Sequence, residues 1–193
     1  LPRSITATTG MDALTHAVEA YIGNSTTKET RMMAEEAVHL IYQHLKAAYD
    51  DGTNKEARSG MLKAAYCAGV AFTKSYVGYI YAVAHSLGGQ YGTPHGLANA
   101  VILPIVLRMY GPACQKKLAA LARNAGVVER EMEDQEAADC FVDWIRKMND
   151  SMEIPRHFPE IQEEDIPVMA SHADKEGNPL YPVPVLMNRK ELE

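Results

Sequence analysis

The sequence predicts an all-α fold, a helical bundle-like domain, and three observations carry that prediction. Apolar residues recur at three- and four-residue intervals along most of the chain. Alternating strand patterns are missing: only residues 182–187 read as a candidate, and their own prolines demote it. Small residues cluster on the third segment, Ala64, Ala65, Ala68, Gly69 and Ala71, as close helix–helix packing requires. No repeat or low-complexity linker divides the 193 residues, so they read as one domain.

Taken in order, the first helix is expected over residues 9–21, with Thr9 as N-cap and Met11, Leu14, Ala17, Val18 and Tyr21 on its apolar face. Gly23-Asn24 ends it. A second helix is expected over 27–49, burying Met32, Met33, Ala37, Leu40, Ile41, Leu45 and Ala48, and Asp50-Asp51-Gly52 turns the chain. The third spans about 55–72. A fourth near 77–87 precedes a glycine-rich break, and a fifth runs over 96–109 with Pro104 inside it. Segments 112–124 and 134–151 are amphipathic. After Ser151 the prolines thicken, with one short helix expected at 163–173. Asn188 followed by Glu191 forms a capping box that announces a last helix. A helix announced and then cut after one turn marks the chain, on this reading, as a fragment of a longer protein.

Composition excludes several functions. The 25 acidic against 19 basic residues give a formal charge of −6, with no basic stripe to displace counterions from nucleic acid. No apolar run reads as long enough to span a bilayer, which takes about 18–20 residues. Cys67, Cys114 and Cys140 lie at no zinc-site or disulfide-framework spacing and read as small buried thiols in a reducing cytoplasm.

Chemistry concentrates in two places. Asp12 and His16, four apart on the first helix, project from one face and can present a carboxylate oxygen and an imidazole nitrogen to one cation. The plainer alternative is a surface hydrogen bond. The stretch from His85 to Gly96 places two histidines around a loop with glycines and a proline; it matches neither a phosphate loop nor a dinucleotide fingerprint. It is either a tight helix connection or half of a site closed against the first helix. Asp12, His16 and His95 would then form a set suited to Fe(II) or Zn(II), with His85 as a nearby acid/base and Tyr76, Tyr79 and Tyr81 beside it.

Gly10-Met11-Asp12-Ala13-Leu14-Thr15-His16-Ala17-Val18-Glu19-Ala20-Tyr21 resembles the signature of the iron-containing (group III) alcohol dehydrogenases. So do Ala84-His85-Ser86-Leu87-Gly88-Gly89 and Thr93-Pro94-His95-Gly96-Leu97-Ala98-Asn99-Ala100. The resemblance covers the whole chain as that family's C-terminal, all-helical, metal-binding domain. It implies hydride transfer between NAD(P) and a small alcohol or aldehyde, with a metal polarising the substrate oxygen. Asp12, His16 and His95 fall on family metal ligands, and His85 falls on the histidine near nicotinamide and substrate. The remaining ligand histidine falls on Tyr81, whose neutral phenol is a poor metal ligand.

Three readings follow: metal held by Asp12, His16 and His95 alone; His85 swinging in as a substitute; or metal dependence lost, with Tyr81 or His85 as proton donor. The family's N-terminal nucleotide-binding domain is absent from this sequence. Without it the domain is expected to expose apolar surface and to form homo-oligomers or bind a hydrophobic dye. A lyase resembling dehydroquinate synthase, and a non-catalytic helical module that binds metal or a partner, stand as alternatives.

Overall fold

Helix α1 (Arg3–Ile22) is the axis around which the other helices pack. Its sequence explains why: Ala7, Gly10, Ala13, Ala17 and Ala20 keep it slim, and residues on every side of it are buried. It touches three long helices, α2 (Lys28–Asp50), α3 (Lys55–Ser75) and α5 (His95–Tyr110). The computed structural model describes residues 1–193, in nine α-helices with no strand.

Helix α1 begins six residues before the expected Thr9, at Arg3. The Thr8 and Thr9 hydroxyls turn back onto the Ser4 and Ile5 carbonyls at 3.0 and 2.7 Å, so neither is free to cap. The starts of α2 and α3 follow their capping chemistry, although Met32, expected on the buried face of α2, is exposed. Thr27 and Thr30 form a reciprocal capping box at α2, and the Asn54 side chain accepts the Ala57 N–H at α3.

Helix α4 (Tyr79–Tyr91) differs most from expectation. It runs straight through Gly88 and Gly89 and ends at Gly92, whose φ of +67° suits glycine alone. The expected glycine-rich loop between His85 and His95 therefore shrinks to residues 92–94. His85 sits on a helix, and His95 is the first residue of α5.

Helices α6 (Gln115–Ala125) and α7 (Asp134–Ser151) pack together, α7 against α5 as well. Helix α8 (Ile166–Gly177) lies on α4 and against the short α9 (Arg189–Leu192), which the Asn188–Glu191 capping box starts. Residues 182–187 form no strand. Asn24 instead ties this segment down, donating its N–H to Pro182 O (2.6 Å) and Nδ2–H to Val183 O (2.7 Å).

Two compositional readings are corrected. The stretch His95–Ala113 is long and apolar enough, by length and composition, to cross a membrane. In the fold it is largely core, packed on α1, α4 and α7. Cys67 and Cys114 are buried as expected, whereas Cys140 is only partly so; all three are free thiols.

Candidate active site

Three helices each contribute two side chains one turn apart, and the three pairs converge. Asp12 and His16 come from α1, Tyr81 and His85 from α4, His95 and Asn99 from α5. Asp12, His16, Tyr81, His85 and His95 are all in this one cluster, whereas Tyr76 is exposed and Tyr79 is buried with its hydroxyl on Asn178 and Met187 O. Two contacts with helix backbones set the convergence.

The first holds α4. Its N-terminus has no side chain of its own to cap it, because residue 78 is glycine. Glu19 of α1 takes over, accepting the Gly78 N–H at 2.8 Å and the Ile80 N–H at 2.9 Å. A Cβ on residue 78 would stand 2.7 Å from Glu19 Oε1. Burial pushes the Glu19 carboxyl up to about 7, although the two backbone N–H groups favour its charged form.

The second holds α5. A Cβ on Gly96 would come within 2.5 Å of the Thr8 carbonyl oxygen, so only glycine lets this helix start so close to α1. That approach brings His95 and Asn99 against Asp12.

At the centre lies the Tyr81 hydroxyl. It donates to Asp12 Oδ1 at 2.7 Å and is in direct contact with His16 Nε2. The Asn99 amide donates to the same Asp12 oxygen at 2.7 Å and stands 2.9 Å from His95 Nε2. His16 stacks on Phe72 with ring centroids 3.9 Å apart and planes 7° from parallel. Burial lowers its pKa to about 4, against the pull of Asp12, so the ring is neutral at physiological pH. Burial raises the Tyr81 pKa, and Asp12 adds to the effect, so the phenol keeps its proton.

His85 stands at the exposed edge, its ring stacked on that of His95 with centroids 5.0 Å apart. Its Nδ1 is 2.7 Å from Glu176 Oε1 on α8, an oxygen that also accepts the Tyr181 hydroxyl at 2.7 Å. Asn99, Glu176, Phe72 and Glu19 are the site residues that sequence reasoning did not single out. Asn99 had a local signal, four residues after His95. Glu176 is 91 residues from His85 and had none.

The side chains gathered here do not match the spacing of a bound ion. Two donors on one tetrahedral Fe(II) or Zn(II) stand about 3.3 Å apart, given metal–ligand bonds of about 2.0–2.1 Å. Asp12 Oδ1 and His95 Nε2, at 3.4 Å, have that separation. The Tyr81 oxygen is too close to Asp12 and to His16 to share a metal with them, and the Asn99 N–H groups face the remaining donors. An apolar cavity of about 460 Å³ lies between α4, α5 and α8, lined by Val83, Leu87, Val101, Met169 and others, and includes none of the cluster.

The cluster thus gathers a carboxylate, three imidazoles and a phenol at a partly open mouth of an all-helical domain. The chain belongs to the Fe-containing alcohol dehydrogenase family: residues 6–193 match the profile of that family's C-terminal part. It is 40% identical to a 1,3-propanediol dehydrogenase of Citrobacter freundii over 99% of its own length and 50% of that protein's. It is also 40% identical to alcohol dehydrogenase 4 of Saccharomyces cerevisiae, over 90% of this chain and 45% of the relative. A crystal structure of a 1,3-propanediol oxidoreductase superposes over the whole chain and 50% of its own, with a TM-score of 0.94 and 40% identity. A sulfoacetaldehyde reductase of Bifidobacterium kashiwanohense, in complex with NAD+, superposes at a TM-score of 0.87 and 26% identity, covering 100% of this chain and 49% of that one. The chain thus spans about half the length of the relatives it matches.

Proposed function

We propose that this chain is the catalytic half of a nicotinamide-dependent alcohol dehydrogenase or aldehyde reductase acting on a small alcohol or aldehyde. The observation that carries the reading is the convergence of three one-turn pairs, Asp12/His16, Tyr81/His85 and His95/Asn99, at one open mouth. The kinship with alcohol and propanediol dehydrogenases supports it. On this reading the dinucleotide site lies outside the nine helices, on a nucleotide-binding domain that packs over the mouth.

NAD(P)H, when bound, supplies the hydride that reaches the carbonyl carbon. The chain's own residues manage the oxygen. The Asp12–Tyr81–Asn99 knot fixes a polar floor beside it. His85 supplies the proton that the oxygen gains: Glu176 holds its Nδ1, which leaves Nε2 to face substrate. In the oxidative direction the same imidazole takes the proton back.

The test is NAD(P)H oxidation by the whole protein across short aliphatic aldehydes and hydroxyaldehydes. Turnover with at least one of them is expected. Failure with all of them, for both coenzymes, overturns the reading.

A further inference from the structure

We propose that Tyr81 closes this centre to metal: its hydroxyl, lodged against Asp12 and His16, holds the donors in a hydrogen-bonded cluster that a single Tyr81→His change converts into a divalent-metal site. As a statement about catalysis it rests on the function proposed above; as a statement about binding it rests on geometry alone.

Each metal-facing atom already has a partner from within the protein. Asp12 Oδ1 accepts from Tyr81 and from Asn99, both at 2.7 Å. His16 Nε2 is in contact with the Tyr81 hydroxyl, and His95 Nε2 has the Asn99 amide 2.9 Å away. An ion placed among them would have to evict the phenol, the one partner that Asp12 and His16 share. Breaking such buried hydrogen bonds leaves polar groups unpaired away from water, a cost borne before any metal bond forms.

A fourth donor is not at hand either. His85 is one turn from Tyr81, but its Nδ1 is bonded to Glu176 and its ring is stacked on His95. Two of the donors, by contrast, already stand at the spacing of metal ligands. The Asp12–His95 separation of 3.4 Å is that of two ligands on one ion. An imidazole at position 81 is shorter than a phenol and its tip, and its nitrogen would withdraw from Asp12 and His16 far enough to share an ion with them and with His95.

The experiment uses the whole protein and three variants, Tyr81→His, His95→Ala and the double Tyr81→His/His95→Ala. Each is incubated with Co(II) or Zn(II) and desalted. Metal is then read by elemental analysis and, for Co(II), by the visible d–d bands of a tetrahedral site. The parent is expected to retain no stoichiometric metal. Tyr81→His is expected to retain one equivalent with intense visible bands, and the double variant to lose it. One equivalent in the parent, lost in His95→Ala, would overturn the proposal. If Tyr81→His does not fold by circular dichroism, the parent and His95→Ala decide alone.

Activity after chelation separates this inference from the function it builds on. Aldehyde reduction that survives a chelator supports both. A metal-free protein that reduces no aldehyde sinks the proposed function and leaves the exclusion of metal standing. Activity abolished by the chelator and restored by metal sinks the exclusion and leaves the function.

Discussion

At the scale of single residues, His85 and Glu176 are the pair whose chemistry can be tested most directly. Their 2.7 Å contact fixes which ring nitrogen faces the carboxylate and which is left for substrate. Removing the imidazole as His85→Ala is expected to lower kcat for aldehyde reduction about 10²- to 10⁴-fold, the usual yield of a positioned acid/base. Glu176 acts through His85 and is a positioning residue. Glu176→Gln keeps an acceptor at the same place and should still hold the Nδ1 side of the ring, whereas Glu176→Ala frees it. Glu176→Ala should therefore lower kcat, by less than His85→Ala does, and Glu176→Gln should recover much of that loss. An unchanged kcat in Glu176→Ala would show that the carboxylate does not position the ring. Legibility at this scale follows sequence distance. Asp12 with His16 could be paired from spacing alone, and Asn99 with His95 carried the same signal. The Glu176 contact depends on α8 folding back over α4, which no local pattern encodes.

At the scale of helices, the glycines separate two jobs that look alike in the sequence. Gly96 and Gly89 both sit inside helices, seven residues apart. A methyl on Gly96 would meet the Thr8 carbonyl oxygen at 2.5 Å, backbone against backbone. Gly96→Ala should push α5 off α1, destabilise by about 1–3 kcal/mol as overpacked sites do, and cost activity because His95 and Asn99 ride on that helix. A methyl on Gly89 meets nothing within 4 Å. Gly89→Ala should raise stability by up to about 1 kcal/mol, the helix-propensity difference between the two residues. Chemical denaturation of the two variants checks the opposite signs, and a gain from Gly96→Ala would refute the close-approach account. The same contrast explains the misplaced loop. Paired glycines read as a break, yet α4 carries them because α8 and α5 pack along it and outweigh their weak propensity. Strongly periodic segments such as α2 and α7 were legible nearly to the residue. The start of α1 was not, because Thr8 and Thr9 spend their hydroxyls on the preceding turn.

At the scale of the whole molecule, the all-α class was open to inference because amphipathic periodicity is local; the closure of the His85–Gly96 stretch on the first helix was one of two readings, and the contacts that knit α1, α4 and α5 together were not legible. That knitting runs through Glu19, a buried carboxyl that joins α1 to the start of α4 and leaves a signature in the pH dependence of stability. Its pKa is raised from 4.5 to about 7, so between those values the folded chain binds more protons than the unfolded one. Stability from this group is greatest below pH 4.5 and declines as pH rises to about 7, by about 3 kcal/mol at 1.36 kcal/mol per pKa unit. His16 works in the opposite sense. With its pKa lowered from 6.5 to about 4, the folded chain binds fewer protons, and stability from that group is lost as pH falls through this interval. The two slopes oppose each other in the acid range and mask one another in the parent. Glu19→Gln removes one of them. Gln gives up one of the two backbone N–H bonds, a cost nearly independent of pH, so the variant starts below the parent in acid. The stability of Glu19→Gln minus that of the parent should then rise by about 3 kcal/mol from pH 4.5 to 7.5. Urea unfolding at a series of pH values measures the difference. A difference that stays flat would mean that Glu19 keeps its charge inside the fold, held by the Gly78 and Ile80 N–H groups. The start of α4 would then be an ionic cap rather than a protonated one.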